Sequence, residues 1–194
     1  MKKHLLLGLL ATAFTLPAFA ALKEGDTAPD FKIPASFAGK AVEFSLKEKL
    51  KKGPVVVYFY PSAYTKGCNL QAHTFSVNSE KFAAAGASVI GVSLDSIGRL
   101  NEFSADPEYC AGKLAVGSDV DGKVAKSYSL DVRPAGEGKT DTRGASIDHG
   151  FAERTTFVVT PDGKIAATIG GLTPVENVAK SLETVEKLAA SKKG

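Results

Sequence analysis

The chain has 194 residues, 44% of them hydrophobic and 23% charged, with a formal net charge of +3, two cysteines, three histidines and no tryptophan. An apolar share close to that of ordinary globular proteins excludes wholesale disorder, a collagen repeat and a coiled coil, and the length suits one domain with extensions. So small a charge gives no electrostatic case for nucleic acid or an anionic membrane as partner, and the few soft ligands exclude a zinc cluster or a disulfide-dense scaffold.

Residues 1–20 read as an address. Lys2, Lys3 and His4 make a basic start, 5–16 a mostly apolar run, and Ala18, Phe19 and Ala20 a small-x-small end. That order describes a secretory signal peptide cleaved after Ala20; as an uncleaved anchor, about twelve apolar residues fall short of the ~20 that span a bilayer. Cleavage leaves 174 residues with a formal charge of +1. The expectation is an exported protein of a bacterial periplasm, without stable membrane insertion. Disulfides persist in that compartment, so both cysteines are read as redox-capable. One domain is expected over 21–190, followed by a polar tail at 191–194.

Residues 22–37 are punctuated by Gly, Pro and Asp and read as loop with short extended pieces, and 41–46 alternate as a half-buried strand. The run 54–61 (PVVVYFYP) is a strand buried on both faces. A helical stretch over 68–85 ends at Gly86, a stop signal. A second buried strand follows at 87–93, then a short helix at 96–104, a brief strand at 114–116 and a helix at 121–130. Strands 155–159 and 165–169 flank Thr160-Pro161-Asp162-Gly163, a turn sequence that makes them an antiparallel hairpin, and 175–190 is the last helix. This order predicts an α/β fold with a central mixed β-sheet flanked by helices, its first two buried strands parallel, similar to the thioredoxin arrangement. Between them and the hairpin, the polar, Gly-bearing segment 132–153 is long enough to be functional or mobile.

Cys68 follows a buried strand and a Pro-initiated turn, in the first turn of a helix. Unpaired backbone N–H groups and the positive end of the helix dipole favour a thiolate there. Thr65 can donate its hydroxyl to that sulfur or to a bound oxygen, and Pro61 ends the strand rigidly and keeps bulk away. These features make Cys68 a nucleophile candidate. The competing assignments are a buried structural cysteine and one half of a structural disulfide with Cys110.

The residues of 61–68 (PSAYTKGC) match the P-x-x-x-T-x-x-C signature of the peroxiredoxins, the AhpC/TSA superfamily. The preceding strand, the opening 25–31 (GDTAPDF) and 154–163 (RTTFVVTPDG) are also similar to that family. Within it the chain resembles the Q-type, or bacterioferritin-comigratory, branch, which also writes Thr-x-Gly-Cys. The resemblance implies a thioredoxin-like fold and a thiol-dependent peroxidase that needs no cofactor or metal. It implies Cys68 as the peroxidatic thiolate that attacks a small hydroperoxide and becomes a sulfenic acid. Thr65 would hold the peroxide in line, Pro61 would shield the sulfur, and Arg154 would stabilise the thiolate and the charge on the leaving oxygen.

The chain also departs from that pattern. Many Q-type members have a second cysteine five residues after the first, where this chain has His73, and a Glu three residues after it, where this chain has Gln71. Lys66 replaces the usual proline and adds positive charge near the sulfur. His73 is not on the face of Cys68, and His149, in the long loop, is expected to be solvated. Cys110, 42 positions after Cys68, is either the resolving cysteine of an intramolecular disulfide or an inert thiol. A disulfide needs Cα atoms within ~7 Å, so a resolver must swing or the helix end must unravel. The expected partners are a small hydroperoxide and a thioredoxin-like or other dithiol reductant, and the expected state is a monomer or weak dimer. Two rival classes share the fold: an exported thiol–disulfide oxidoreductase, disfavoured because no Cys-x-x-Cys is present, and a non-enzymatic module with a structural Cys68–Cys110 bridge.

Overall fold

The computed structural model describes residues 20–191; the expected leader, apart from Ala20, and residues 192–194 of the expected tail lie outside them. In chain order the elements are β1 (Lys32–Phe37), β2 (Lys40–Ser45), α1 (Leu46–Leu50), β3 (Val55–Phe59), α2 (Lys66–Val77), α3 (Ser79–Ala84), β4 (Ser88–Ser93) and α4 (Ile97–Ala105). There follow β5 (Ala115–Ser118), α5 (Lys123–Ser127), β6 (Val132–Arg133), β7 (Phe151–Ala152), β8 (Thr155–Val159), β9 (Ile165–Gly170) and α6 (Pro174–Ser191). Seven strands form one mixed sheet in the order β2-β1-β5-β4-β3-β8-β9, and β6 pairs with β7 separately. β3, β4 and β5 run parallel, while β8 lies antiparallel to both β3 and β9. The fold is thioredoxin-like, with a central mixed sheet flanked by helices.

Two apolar layers cover the sheet. Period-two alternation on β3 sends Val55, Val57 and Phe59 to one layer, with α1 and α5, and Val56 and Tyr58 to the other. The second layer holds α2, α3, α4 and α6 through Phe75, Phe82, Leu100, Phe103, Val178 and Val185, and both cysteines lie within it. Burying side chains of this size contributes about 1.5–3 kcal/mol each, which is why the fully buried run of β3 sits inside the sheet, between β4 and β8.

Three elements differ from the sequence expectation. β1 runs through Pro34, which the loop reading of 22–37 did not anticipate. Pairing with β5 begins only at Ala35, so the proline needs no hydrogen on that side. The helical stretch after Cys68 is two helices, α2 and α3, broken where the Asn78 side chain donates to the Thr74 carbonyl at 2.9 Å. α3 ends before Gly86, at φ +73°, as the stop signal predicts. α5 is shorter than 121–130 because the buried Asp119 carboxylate accepts from Val124 N and Ala125 N and fixes where the helix starts.

Candidate active site

Lys66, Gly67 and Cys68 are the first three residues of α2, with Thr65 at its N-cap. The backbone N–H groups of this turn have no partner within the helix and face the loop that precedes it. Cys68 is 2% exposed, and Arg154 Nη2, arriving from just before β8, donates to its Sγ at 3.2 Å. Gly67 makes room for this approach, since a Cβ there would stand 3.2 Å from the same nitrogen. A cation in hydrogen-bond contact with sulfur stabilises the anion that a nucleophilic cysteine must become.

Arg154 is itself held from behind. Its Nη1 donates to Gln71 Oε1, and Gln71 Nε2 donates to Asn177 Oδ1 at 3.1 Å. Asn177 also accepts from Thr156 Oγ1 at 2.7 Å and donates to the Ile169 carbonyl at 3.0 Å. The guanidinium can only donate, so the amide oxygen of Gln71 must face it and the amide nitrogen must face Asn177. This chain of neutral groups ties α2, α6 and β8 together behind the sulfur. Asn177→Leu keeps the branched shape of the side chain but leaves the groups of Gln71, Thr156 and Ile169 without their Asn177 partner in the core. We expect a stability loss of about 2–4 kcal/mol, read as a lower urea midpoint. An unchanged midpoint would show that Asn177 does not hold Gln71.

Thr65 is placed beside Cys68, but its hydroxyl donates to the Ser62 carbonyl at 2.9 Å rather than to the sulfur. Pro61, half-buried, closes β3 where the chain leaves the sheet. Lys66 is exposed at the first residue of α2. His73 Nδ1 lies 2.8 Å from the Glu108 carbonyl, away from Cys68. Cys110 is fully buried behind a turn that contains Ala111 at φ +51° and Gly112 at φ +69°. Burial pushes its thiol well up, helped by the neighbouring Asp106. Both cysteines are free thiols.

His149 corrects the sequence reading. It is not solvated: only 13% of its side chain is exposed, and its Nε2 lies 2.8 Å from Asp95 Oδ1. Most of 132–153 is exposed, but His149 and Asp141 meet protein partners, and polar groups that are buried are as a rule hydrogen-bonded. Asp95 itself, fully buried after β4, accepts from Ser62 Oγ and Ala63 N within the turn that leads to Cys68. Composition could not signal this, because the partners stand 32 and 33 positions apart in the chain.

Comparison with known proteins gives one consistent result. A family model described as AhpC/TSA family matches residues 24–168. Peroxiredoxin Bcp of Escherichia coli is 33% identical over 144 residues, which are 74% of this chain and 83% of that one. The chloroplastic peroxiredoxin Q of Oryza sativa subsp. japonica is 41% identical over 109 residues, 49% of this chain and 48% of that one. The crystal structure of peroxidoxin BcpB from Mycobacterium tuberculosis superposes with a TM-score of 0.71 at 29% identity, covering 86% of this chain and 98% of that one.

Proposed function

The chain belongs to the AhpC/TSA family, in its peroxiredoxin Q and Bcp branch, and is a thiol-dependent peroxidase; on that footing we propose that Cys68 is its peroxidatic residue, Arg154 its activating cation and Cys110 its resolving thiol. The observation that carries this reading is the contact of Arg154 Nη2 with Cys68 Sγ at 3.2 Å. The Cys68 thiolate attacks the terminal oxygen of a hydroperoxide, forming an S–O bond as the O–O bond breaks. The leaving oxygen takes up a proton and departs as water or an alcohol, and Cys68 is left as sulfenic acid. Arg154 stabilises the charge that moves from sulfur to oxygen, and Thr65 turns its hydroxyl from Ser62 to the incoming peroxide. Pro61 shields the sulfur from bulk.

In the second step the Cys110 thiol attacks the sulfenic acid sulfur, water leaves, and a Cys68–Cys110 disulfide forms. A thioredoxin-like dithiol then reduces that disulfide. Membership of both cysteines in one buried layer supports this pairing. Cys110 is now held by a Ser76 Oγ bond to its carbonyl at 3.1 Å and by the His73 contact with Glu108, so the second half of α2 must release the 106–110 segment first. The leader-like residues 1–20 support an enzyme acting after export.

The direct test is consumption of hydrogen peroxide, and of an organic hydroperoxide, by the chain with excess dithiol reductant; no consumption of either would end the proposal. For the resolving step, Cys110→Ser is expected to consume one equivalent rapidly and then stall with a thioredoxin-type reductant. Normal recycling in that variant would remove Cys110 from the cycle.

A further inference from the structure

The chemistry assigned to Cys68, Thr65 and Arg154 uses nothing from residues 132–153, yet that segment closes over the back of the turn that leads to Cys68. Arg99 Nη2 donates to the Ala63 carbonyl at 2.9 Å and to Asp141 Oδ2 at 2.8 Å. Arg99 Nε lies 2.9 Å from Asp95 Oδ1, close enough to pair charges though not aligned as a hydrogen bond. Thr142 gives both its N–H, at 2.9 Å, and its hydroxyl, at 2.8 Å, to the Tyr64 carbonyl. The Arg143 guanidinium stands 3.3 Å from the centroid of the Tyr64 ring and pairs with Asp141 as well.

The turn needs such support. Tyr64 has φ +60°, a left-handed conformation that costs a side-chain-bearing residue about 1–2 kcal/mol and persists only where its surroundings impose it. The backbone groups of Ala63 and the carbonyl of Tyr64 are claimed by side chains from the β4–α4 turn, α4 and the 132–153 segment. Thr65, the N-cap of α2, follows directly, so the angle of this turn sets where Cys68 stands.

His149 completes the arrangement. Its Nε2 faces Asp95 Oδ1 and its Nδ1 faces the Gly150 carbonyl, each at 2.8 Å. Both partners can only accept, so both ring nitrogens donate and the ring is an imidazolium. The charged groups facing it are Asp95 from the β4–α4 turn and Arg99 from α4, with the Ser62 hydroxyl at 3.4 Å and the Phe151 ring edge-on at 6.2 Å. Burial opposes the charge, but the hydrogen bond and charge of Asp95 outweigh it and hold the pKa above 6.5.

We infer that the 132–153 segment is a clasp for the peroxidatic turn, in which Asp141 and His149, acting through Arg99 and Asp95, are positioning residues that hold Ser62–Tyr64 and thereby seat Cys68 against Arg154. This rests on the reading of Cys68 as the peroxidatic residue. Because His149 is the protonated partner, the clasp is intact below its titration and slackens as the pH rises through it.

The test is the second-order rate of Cys68 oxidation by hydrogen peroxide from about pH 5 to 9, by stopped flow on the full chain. His149→Leu is expected to slow oxidation about tenfold at neutral pH, through misplacement of the sulfur. His149→Gln keeps an N–H for Asp95 but carries no charge and does not titrate; it is expected to recover part of the rate and to show none of the alkaline fall-off expected with histidine. A purely structural role would lower the melting temperature and leave rate and pH profile as they were, which overturns the inference. Should His149→Leu not fold, Thr142→Val removes one donor from Tyr64 at an exposed position, and a severalfold loss is expected; an unchanged rate again overturns the clasp. If the parent chain itself is not oxidised at Cys68, the peroxidatic assignment has failed rather than the clasp.

Discussion

Exchanging one atom in Cys68→Ser is expected to bring peroxide consumption down to the uncatalysed background, a loss of at least about a thousandfold. The hydroxyl of serine is not ionised at neutral pH, and oxygen lacks the soft, polarizable lone pair with which sulfur attacks the O–O bond. Arg154 cannot compensate, because a guanidinium stabilises an anion but does not create a nucleophile. Nor can Cys110 take over: it is fully buried, and burial together with Asp106 pushes its thiol up and keeps it protonated. The substitution is nearly isosteric and leaves the Arg154–Gln71–Asn177 chain intact, so the fold is expected to persist by circular dichroism. Turnover at the parent rate in the folded variant would end the assignment of Cys68.

The next largest effect is expected at Arg154. Arg154→Ala removes the donor that faces Cys68 Sγ at 3.2 Å, and the second-order rate with peroxide is expected to fall about 10²- to 10³-fold. The cost to folding is smaller, about 1–3 kcal/mol, because the Gln71 oxygen and the Cys68 sulfur lose a partner while the Gln71–Asn177 bond remains. Arg154→Lys is expected to recover only part of the rate. An ammonium is a point charge on a flexible stem and cannot satisfy Gln71 and the sulfur together in the fixed geometry of a guanidinium. The charge is retained in that variant and only its placement is lost, so the comparison separates the two contributions. A rate unchanged in Arg154→Ala would take the residue out of the mechanism.

What could be read before any coordinates follows from how local each signal is. β3, β4 and β8 were legible because buried strands write β-branched runs, and β9 because the Thr160–Gly163 turn carries its own chemistry and returns the chain beside β8. Cys68 was legible for the same reason: the strand, the turn and the helix start lie within a dozen residues. Pro34 obscured β1, since the position of a proline relative to a pairing edge is a tertiary fact. The break at Asn78 was hidden because its side chain competes with the helix only once the chain has folded.

The site beyond Cys68 was less legible. Arg154 stands 86 positions from Cys68, and only the family resemblance joined them. Gln71 and Asn177, 106 positions apart, had no signal linking them at all. The His149–Asp95 pair, 54 positions apart, reversed the expectation of a solvated histidine, because polarity along a loop does not reveal whether its charges are met by water or by protein. The one-residue departure at Gln71 was visible in the sequence. Its consequence was not: a neutral amide, rather than a carboxylate, lies behind the arginine and leaves the cation's charge to the sulfur.

A peroxidatic Cys68 requires that the first oxidising event land on the sulfur beneath Arg154. Intact mass followed by peptide mapping, after one equivalent of hydrogen peroxide, reads this directly. The predicted result is a loss of two hydrogens with Cys68 and Cys110 joined in one cross-linked peptide. The contradicting result is an unchanged mass, or an added oxygen carried elsewhere while Cys68 remains a free thiol.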